Sequence, residues 1–228
     1  MWEKICKWTI YSALTLFALA ISACSIAPSP PTVPASGPAP APSAAPALAT
    51  TQQAHRIIAG ESLLAITVRR GGPLARMGHD HVVATRELEG FIDLAKGHTE
   101  LRFRLDHLQV DEPDLRKEAG LDTQPSPDAI EGTRRNMFNK VLQAAAHPWV
   151  VVRAEREGDF LNAQVTLHGV TRNYRVPLQL KEEGALLQAR GSFSARQSDF
   201  GITPFAVFGG ALAVKDEMEL RFAISARR

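Results

Sequence analysis

Residues 162–180, NAQVTLHGVTRNYRVPLQL, alternate apolar and polar side chains on either side of one glycine. Ala163, Val165 and Leu167 fall opposite Gln164, Thr166 and His168; Tyr174, Val176, Leu178 and Leu180 resume the pattern after the break. A period of two sends successive side chains to opposite faces, so the stretch reads as two strands with one dry and one wet face. His168-Gly169-Val170-Thr171 reads as a tight turn using glycine's backbone freedom, with His168 and Thr171 hydrogen-bonding across it. Contact of His168 with a ligand is the alternative.

The same period recurs outward from this hairpin. Leu64, Ile66 and Val68 share a face in SLLAITVRR, and Leu101, Phe103 and Leu105 alternate with Arg102, Arg104 and Asp106. Leu187, Ala189, Gly191, Phe193 and Ala195 do so later, and Met218, Leu220, Phe222 and Ile224 oppose Glu219 and Arg221. With strands near 87–94 and 149–154, about eight strands form an all-β, antiparallel fold, the size at which a closed barrel holds one small ligand. The dry face supplies the expected tunnel lining: Ile66, Val68, Phe103, Leu105, Val165, Leu167, Phe193 and Phe222. Arg102 and Arg104 fix which face is inward, since two cations could hardly both line an apolar tunnel.

One segment follows a different period. Ser126-Pro127-Asp128 supplies a cap, a proline for the first helical position and an acid for the first turn. Ile130, Arg134, Met137, Phe138, Val141 and Leu142 then share a helical face until His147-Pro148. The charged stretch DEPDLRKEAGLDTQPSPD, 111–128, reads as a long loop.

The first residues concern export. Lys4 and Lys7 precede an apolar run from Trp8 to Ala23, a length that suits a signal peptide and is short for a spanning helix. Ile21-Ser22-Ala23-Cys24 resembles the bacterial lipobox, which implies cleavage of residues 1–23 and lipidation of Cys24. Residues 24–54 hold eight of the fifteen prolines and form an expected disordered tether, leaving 55–228 as one domain. The only other cysteine, Cys6, leaves with the signal, so no thiol remains for a disulfide, a zinc-thiolate site or a nucleophile. Cleavage also removes Lys4, Lys7 and Glu3 from 26 basic and 24 acidic side chains. The near-neutral remainder, with no basic stripe, argues against nucleic acid as a partner.

The domain also resembles a known family, the YceI-like lipid or polyisoprenoid-binding proteins. Gly78-His79, MFNKVLQAAAHPWVVVRA (137–154), VTLHGVTRNYRVPLQL (165–180), and FSARQSDFGI (193–202) followed by DEMELRFAISA (216–226) carry the resemblance in order. It implies an extended, lipocalin-like antiparallel barrel with an apolar tunnel and a helix near its mouth. It further implies a periplasmic location, the same compartment as the lipobox. The family usually places an aromatic after Gly-His, where this chain has Asp80-His81.

RMGHDHVV, 76–83, is the remaining candidate for chemistry. In a strand His79 and His81 point to the same side and could reach one ion, with a third ligand needed from His168, His107, Asp199 or solvent. The alternative is structural: His79 braces the start of its strand through hydrogen bonds, while Asp80 or His81 is more exposed. A ligand's polar end is a further use for His79, His81 and His168. Ser198-Asp199-Phe200-Gly201 reads as a turn or bulge. There is no G-x-S-x-G, and nothing singles out a carboxylate pair. The expected function is therefore non-enzymatic and cofactor-free: a carrier of an isoprenoid quinone, polyprenyl or fatty-acid type molecule. Its anchor would hold it to the periplasmic side of a bacterial membrane, the outer membrane in preference to the inner. A solidly packed interaction module and a metal-binding protein are the rivals.

Overall fold

Alternating residues pair into antiparallel ladders throughout the computed structural model, which describes residues 44–48 and 54–228. The expected signal peptide, Cys24 and nearly all of the tether lie outside the described residues. The elements in chain order are β1 (His55–Ile57), β2 (Leu63–Gly71), β3 (His81–Thr85), β4 (Glu89–Asp93), β5 (His98–Arg104) and β6 (Gln109–Val110). Then come α1 (Pro113–Glu118), α2 (Pro127–Asn136), β7 (Trp149–Glu157), β8 (Phe160–Leu167), β9 (Val170–Pro177) and β10 (Gln179–Glu183). β11 (Leu186–Arg196), β12 (Ala206–Val207) and β13 (Leu212–Arg227) complete the sheet.

β13, sixteen residues long, is paired on both edges. On one edge it meets β11 from Glu217 to Arg227. On the other it meets β2 from Ala213 to Ala223, then β1 at Ala226 and Arg227. From β1 the sheet continues through β4, β5, β7, β8 and β9. β10 follows β9 after the single residue Leu178 and pairs with β11. The ladder is therefore not closed: β9 ends the main path, and pairing with β11 begins only at β10.

Thirteen strand segments replace the eight expected, for physical reasons. β1, β6 and β12 are two or three residues long, too short to show a period. β3 is buried at every position, so its run HVVAT has no wet face to alternate with. Its outer face is covered by the stretch read as a loop. That stretch contains α1, with Pro113 in its first turn, and Leu115 and Leu121 pack against Ala65, Val82 and Ala84.

The expected helix forms where the cap required it. Ser126 Oγ accepts the Ala129 N–H at 3.2 Å, and α2 runs on into a wider π-helical turn, Met137–Val141. Met137, Phe138 and Leu142 pack on the main core, whereas Arg134 lies over the Phe138 ring at 5.1 Å. Across the domain, the turn Gln197–Phe200 fastens a register shift in β13 between Val214 and Met218. Gln197 Nε2 donates to Lys215 O at 2.9 Å, and Ser198 N donates to Asp216 Oδ1 at 2.8 Å. The Ser198 contacts hold the Asp216 carboxyl below the usual carboxylate range. Gly201 follows at φ 71°, as a bulge-fixing turn requires.

Gly191 pairs with Phe222 of β13 on one edge and lies just past the last β10–β11 pair, Gln179 with Arg190, on the other. A methyl group there would sit 2.4 Å from Pro177 O and 2.6 Å from the Phe222 ring. Gly191→Ala is expected to destabilise the domain by about 1–3 kcal/mol through overpacking, measured by urea unfolding.

Candidate ligand-binding cavity

A sheet that bends round until its dry faces meet must either fill the space between them with side chains or leave it open. Here the inner faces enclose a cavity of about 450 Å³. Volumes of 300–1,000 Å³ are typical of small-molecule sites. All eight residues expected to line a tunnel stand on its wall. Ile66 and Val68 come from β2, Phe103 from β5, Val165 and Leu167 from β8, Phe193 from β11 and Phe222 from β13. Leu105 also stands there, although it lies in a 3-10 turn after β5 rather than in the strand. Met137, Val141 and Leu142 enter from the helix, so part of the wall comes from an element outside the sheet. Their helical period marked an apolar face but not what that face would meet.

Polar groups on the wall are few. Asp93, Thr99 and Arg156 lie towards the β4–β5 and β7–β8 turns; Arg70, His79, His81 and Gln197 lie towards the other end, and Thr133 and Asn136 come from α2. Tyr174, a wall residue visible in the alternation yet not singled out, packs on Phe193 with ring centroids 5.2 Å apart. Its hydroxyl donates to Asp199 Oδ2 at 3.4 Å, and burial together with the Asp199 charge pushes the phenol up to about 12. The group therefore stays a neutral donor over the physiological range.

The histidine stretch divides its roles in the reverse of the expected way. Asp80 and His81 are buried and bonded; His79 is the one left without a bond at Nδ1. Asp80 Oδ1 accepts the Arg70 N–H at 2.8 Å. His81 Nδ1 meets Asp111 Oδ2 at 2.6 Å, so this nitrogen carries the proton of the pair. Asp111 Oδ1 accepts from Val82 N at 3.0 Å and from Arg116 Nη1 at 2.5 Å. Arg116, 1% exposed, also donates to the carbonyls of Asp80 and Thr123, so it ties β3 to α1. The two partners that decide this arrangement lie 30 and 35 residues further along the chain, which no local spacing in RMGHDHVV could reveal.

Burial opposes ionisation of Asp111, but the contacts from His81, Val82 and Arg116 outweigh it and hold the carboxyl below the usual range. The suggested metal set is not assembled. The His79 and His81 rings are 6.3 Å apart, His107 Nδ1 contacts Glu87 at 2.5 Å, and Asp199 is engaged by Tyr174. No cluster of three His, Cys, Asp or Glu suited to a metal occurs among the described residues. His168 is off the cavity wall. It sits in its turn at φ 53°, with its ring 4.3 Å from His147 and its Nε2 unbonded, while Thr166 and Thr171 make the cross-strand hydrogen bond at 2.8 Å.

The model of the YceI-like domain matches residues 79–226. The chain belongs to the YceI-like family. Among solved structures, a polyisoprenoid binding domain from Saccharophagus degradans, implicated in plant cell wall breakdown, matches with a TM-score of 0.56 at 12% identity. That match covers 77% of this chain and 99% of the other. BcnA of Burkholderia cenocepacia matches with a TM-score of 0.54 at 14% identity, covering 75% and 99%. At these identities the likeness is one of fold. No curated protein matches the sequence.

In this YceI-like domain, Asp111→Asn should be expensive. Removing one partner of a buried ion pair costs about 3–5 kcal/mol. Because the folded carboxyl titrates below its unfolded value near 3.9, its stabilisation is complete above that pH and fades as pH falls through the folded value. Urea midpoints measured at falling pH should therefore drop less steeply in Asp111→Asn than in the parent.

Proposed function

We propose that this YceI-like protein binds an isoprenoid- or acyl-chain molecule in its cavity and carries or sequesters it without catalysis. The observation that carries this reading is the wall itself: strand after strand presents its apolar face to an open volume of about 450 Å³. About fifteen buried methylenes contribute roughly 12 kcal/mol. Lost ligand freedom subtracts about 4 kcal/mol or more, leaving about 8 kcal/mol, a micromolar dissociation constant. Affinity of that order needs no catalytic group. A relative of the same fold is described as a polyisoprenoid binding domain, which supports the same ligand class. The open volume favours a binding protein over a solidly packed interaction module.

His79 is the proposed partner for a ligand's polar end, since it stands on the wall with Nδ1 buried and unbonded. The proposed site of action is the periplasmic face of a bacterial membrane, with Cys24 as the lipid anchor; the Ile21-Ser22-Ala23-Cys24 sequence supports this.

Native mass spectrometry of gently purified protein should reveal a co-purifying apolar molecule. A protein that is empty and also refuses fluorescent fatty acids and prenyl quinones overturns the proposal. Phe103→Arg, if folded, should abolish uptake, because the cation would replace a ring on the apolar wall. His79→Ala should leave the melting temperature nearly unchanged but weaken quinone or fatty-acid binding relative to that of a plain hydrocarbon. Equal losses for both ligands would remove His79 from the polar end.

A further inference from the structure

One end of the barrel is built unlike the rest of its surface. Residues 72–78 (GPLARMG) of the β2–β3 connection, which ends in His79-Asp80, and the segment 203–213 (TPFAVFGGALA) leading into β13 lie side by side, joined by the Leu74 N–H to Ala211 O bond at 2.8 Å. Neither contains an acidic residue. Met77 and Phe208, at 66% and 75% exposure, are the large apolar side chains left in solvent among the described residues. Met77 also stands on the cavity wall, beside Phe205 and Leu212 from the second segment. The opposite end carries the turns EREGD (155–159) and KEEGA (181–185), which are charged and rich in acid.

Two further features point to a use for these tips. Phe208 is held at φ 52°, a conformation unfavourable for a bulky residue, and is followed by Gly209 at 64° and Gly210 at 89°. The fold thus keeps an aromatic ring outward at some conformational expense, where no buried contact repays it. The flanking cations are also unspent: exposed Arg76 and Lys215 have no ion-pair partner among the described residues, whereas Arg69 and Arg70 are matched by Glu219, Asp80 and Asp122. Apolar tips flanked by these two free cations match the boundary between acyl chains and anionic headgroups.

We infer that the Met77–Phe208 end docks onto an anionic lipid surface and is the mouth through which the cavity is loaded. The loading half of this inference rests on the lipid-binding reading above; docking does not require a ligand.

The test uses the chain from residue 24 onward, as the expected cleavage leaves it, with Cys24→Ser, which removes the signal, Cys6 and the proposed anchor and leaves Phe208→Cys as the only thiol. An environment-sensitive fluorophore at that position should shift to the blue with vesicles of phosphatidylcholine and phosphatidylglycerol. The shift should be small with phosphatidylcholine alone, and should be reduced by added salt, by Arg76→Glu and by Met77→Glu. The same label at Glu182→Cys, on the opposite end, should not respond. No shift at position 208, or equal shifts at both ends, overturns docking. For the loading half, Phe208→Glu should slow transfer of a fluorescent fatty acid from those vesicles to the protein while leaving its uptake from solution unchanged; unaltered transfer overturns it. If the protein proves empty and takes up no fatty acid, the cargo reading fails, while the shift at position 208 still decides docking.

Discussion

Pairing of β13 along both edges is what makes a container out of a row of hairpins. One edge leads through β1 to β4, β5, β7, β8 and β9 and also carries β2, β3 and β6, while the other leads to β11 and β10, so every limb of the sheet departs from one strand. A strand that serves two partners this way must bend. The register shift between Val214 and Met218 supplies the bend, and the turn Gln197–Phe200 holds it with side-chain and backbone contacts. Where the limbs meet, Gly191 lets β11 approach the end of β9 more closely than any side chain would permit.

The second constraint is how the helical connection is fixed. α1 brings only a few apolar side chains to β3, so its position depends heavily on the buried triad of His81, Asp111 and Arg116. Such a triad is a poor way to gain stability, because the desolvation of two charges offsets much of their attraction. It is better suited to fixing geometry: Asp111, at φ 59°, bonds the Val82 N–H while its carboxylate also receives Arg116 and His81. The histidine stretch thereby sets one end of the cavity wall, and leaves His79 as the member with an unused nitrogen.

The interior follows from these two restraints. Strand faces that would otherwise pack directly together are held apart, and Met137, Val141 and Leu142 close part of the gap from the helical side. The π-helical turn at Met137–Val141 widens the helix at this wall, a deviation often found at functional sites. The remaining space is apolar along its length and polar only towards its ends, an arrangement suited to a chain with one polar terminus.

The sequence by itself determined that this is an antiparallel β protein and which face of each long strand is dry, because a period of two is a local property of the backbone. It also placed the start of α2, since a cap and a proline act within one turn. The family was legible for the same reason: its motifs are contiguous. What the tertiary structure decided were matters of contact between distant residues. β3 escaped the alternation because α1 buries its second face. His79 and His81 exchanged their expected roles because Asp111 and Arg116 arrive from another part of the chain. His168 left the site because its turn points it at His147. Whether facing apolar strands touch or stand apart is likewise invisible in either strand alone. The separation is fixed by β13, by Gly191 and by the helix, so the cavity belongs to the assembled barrel.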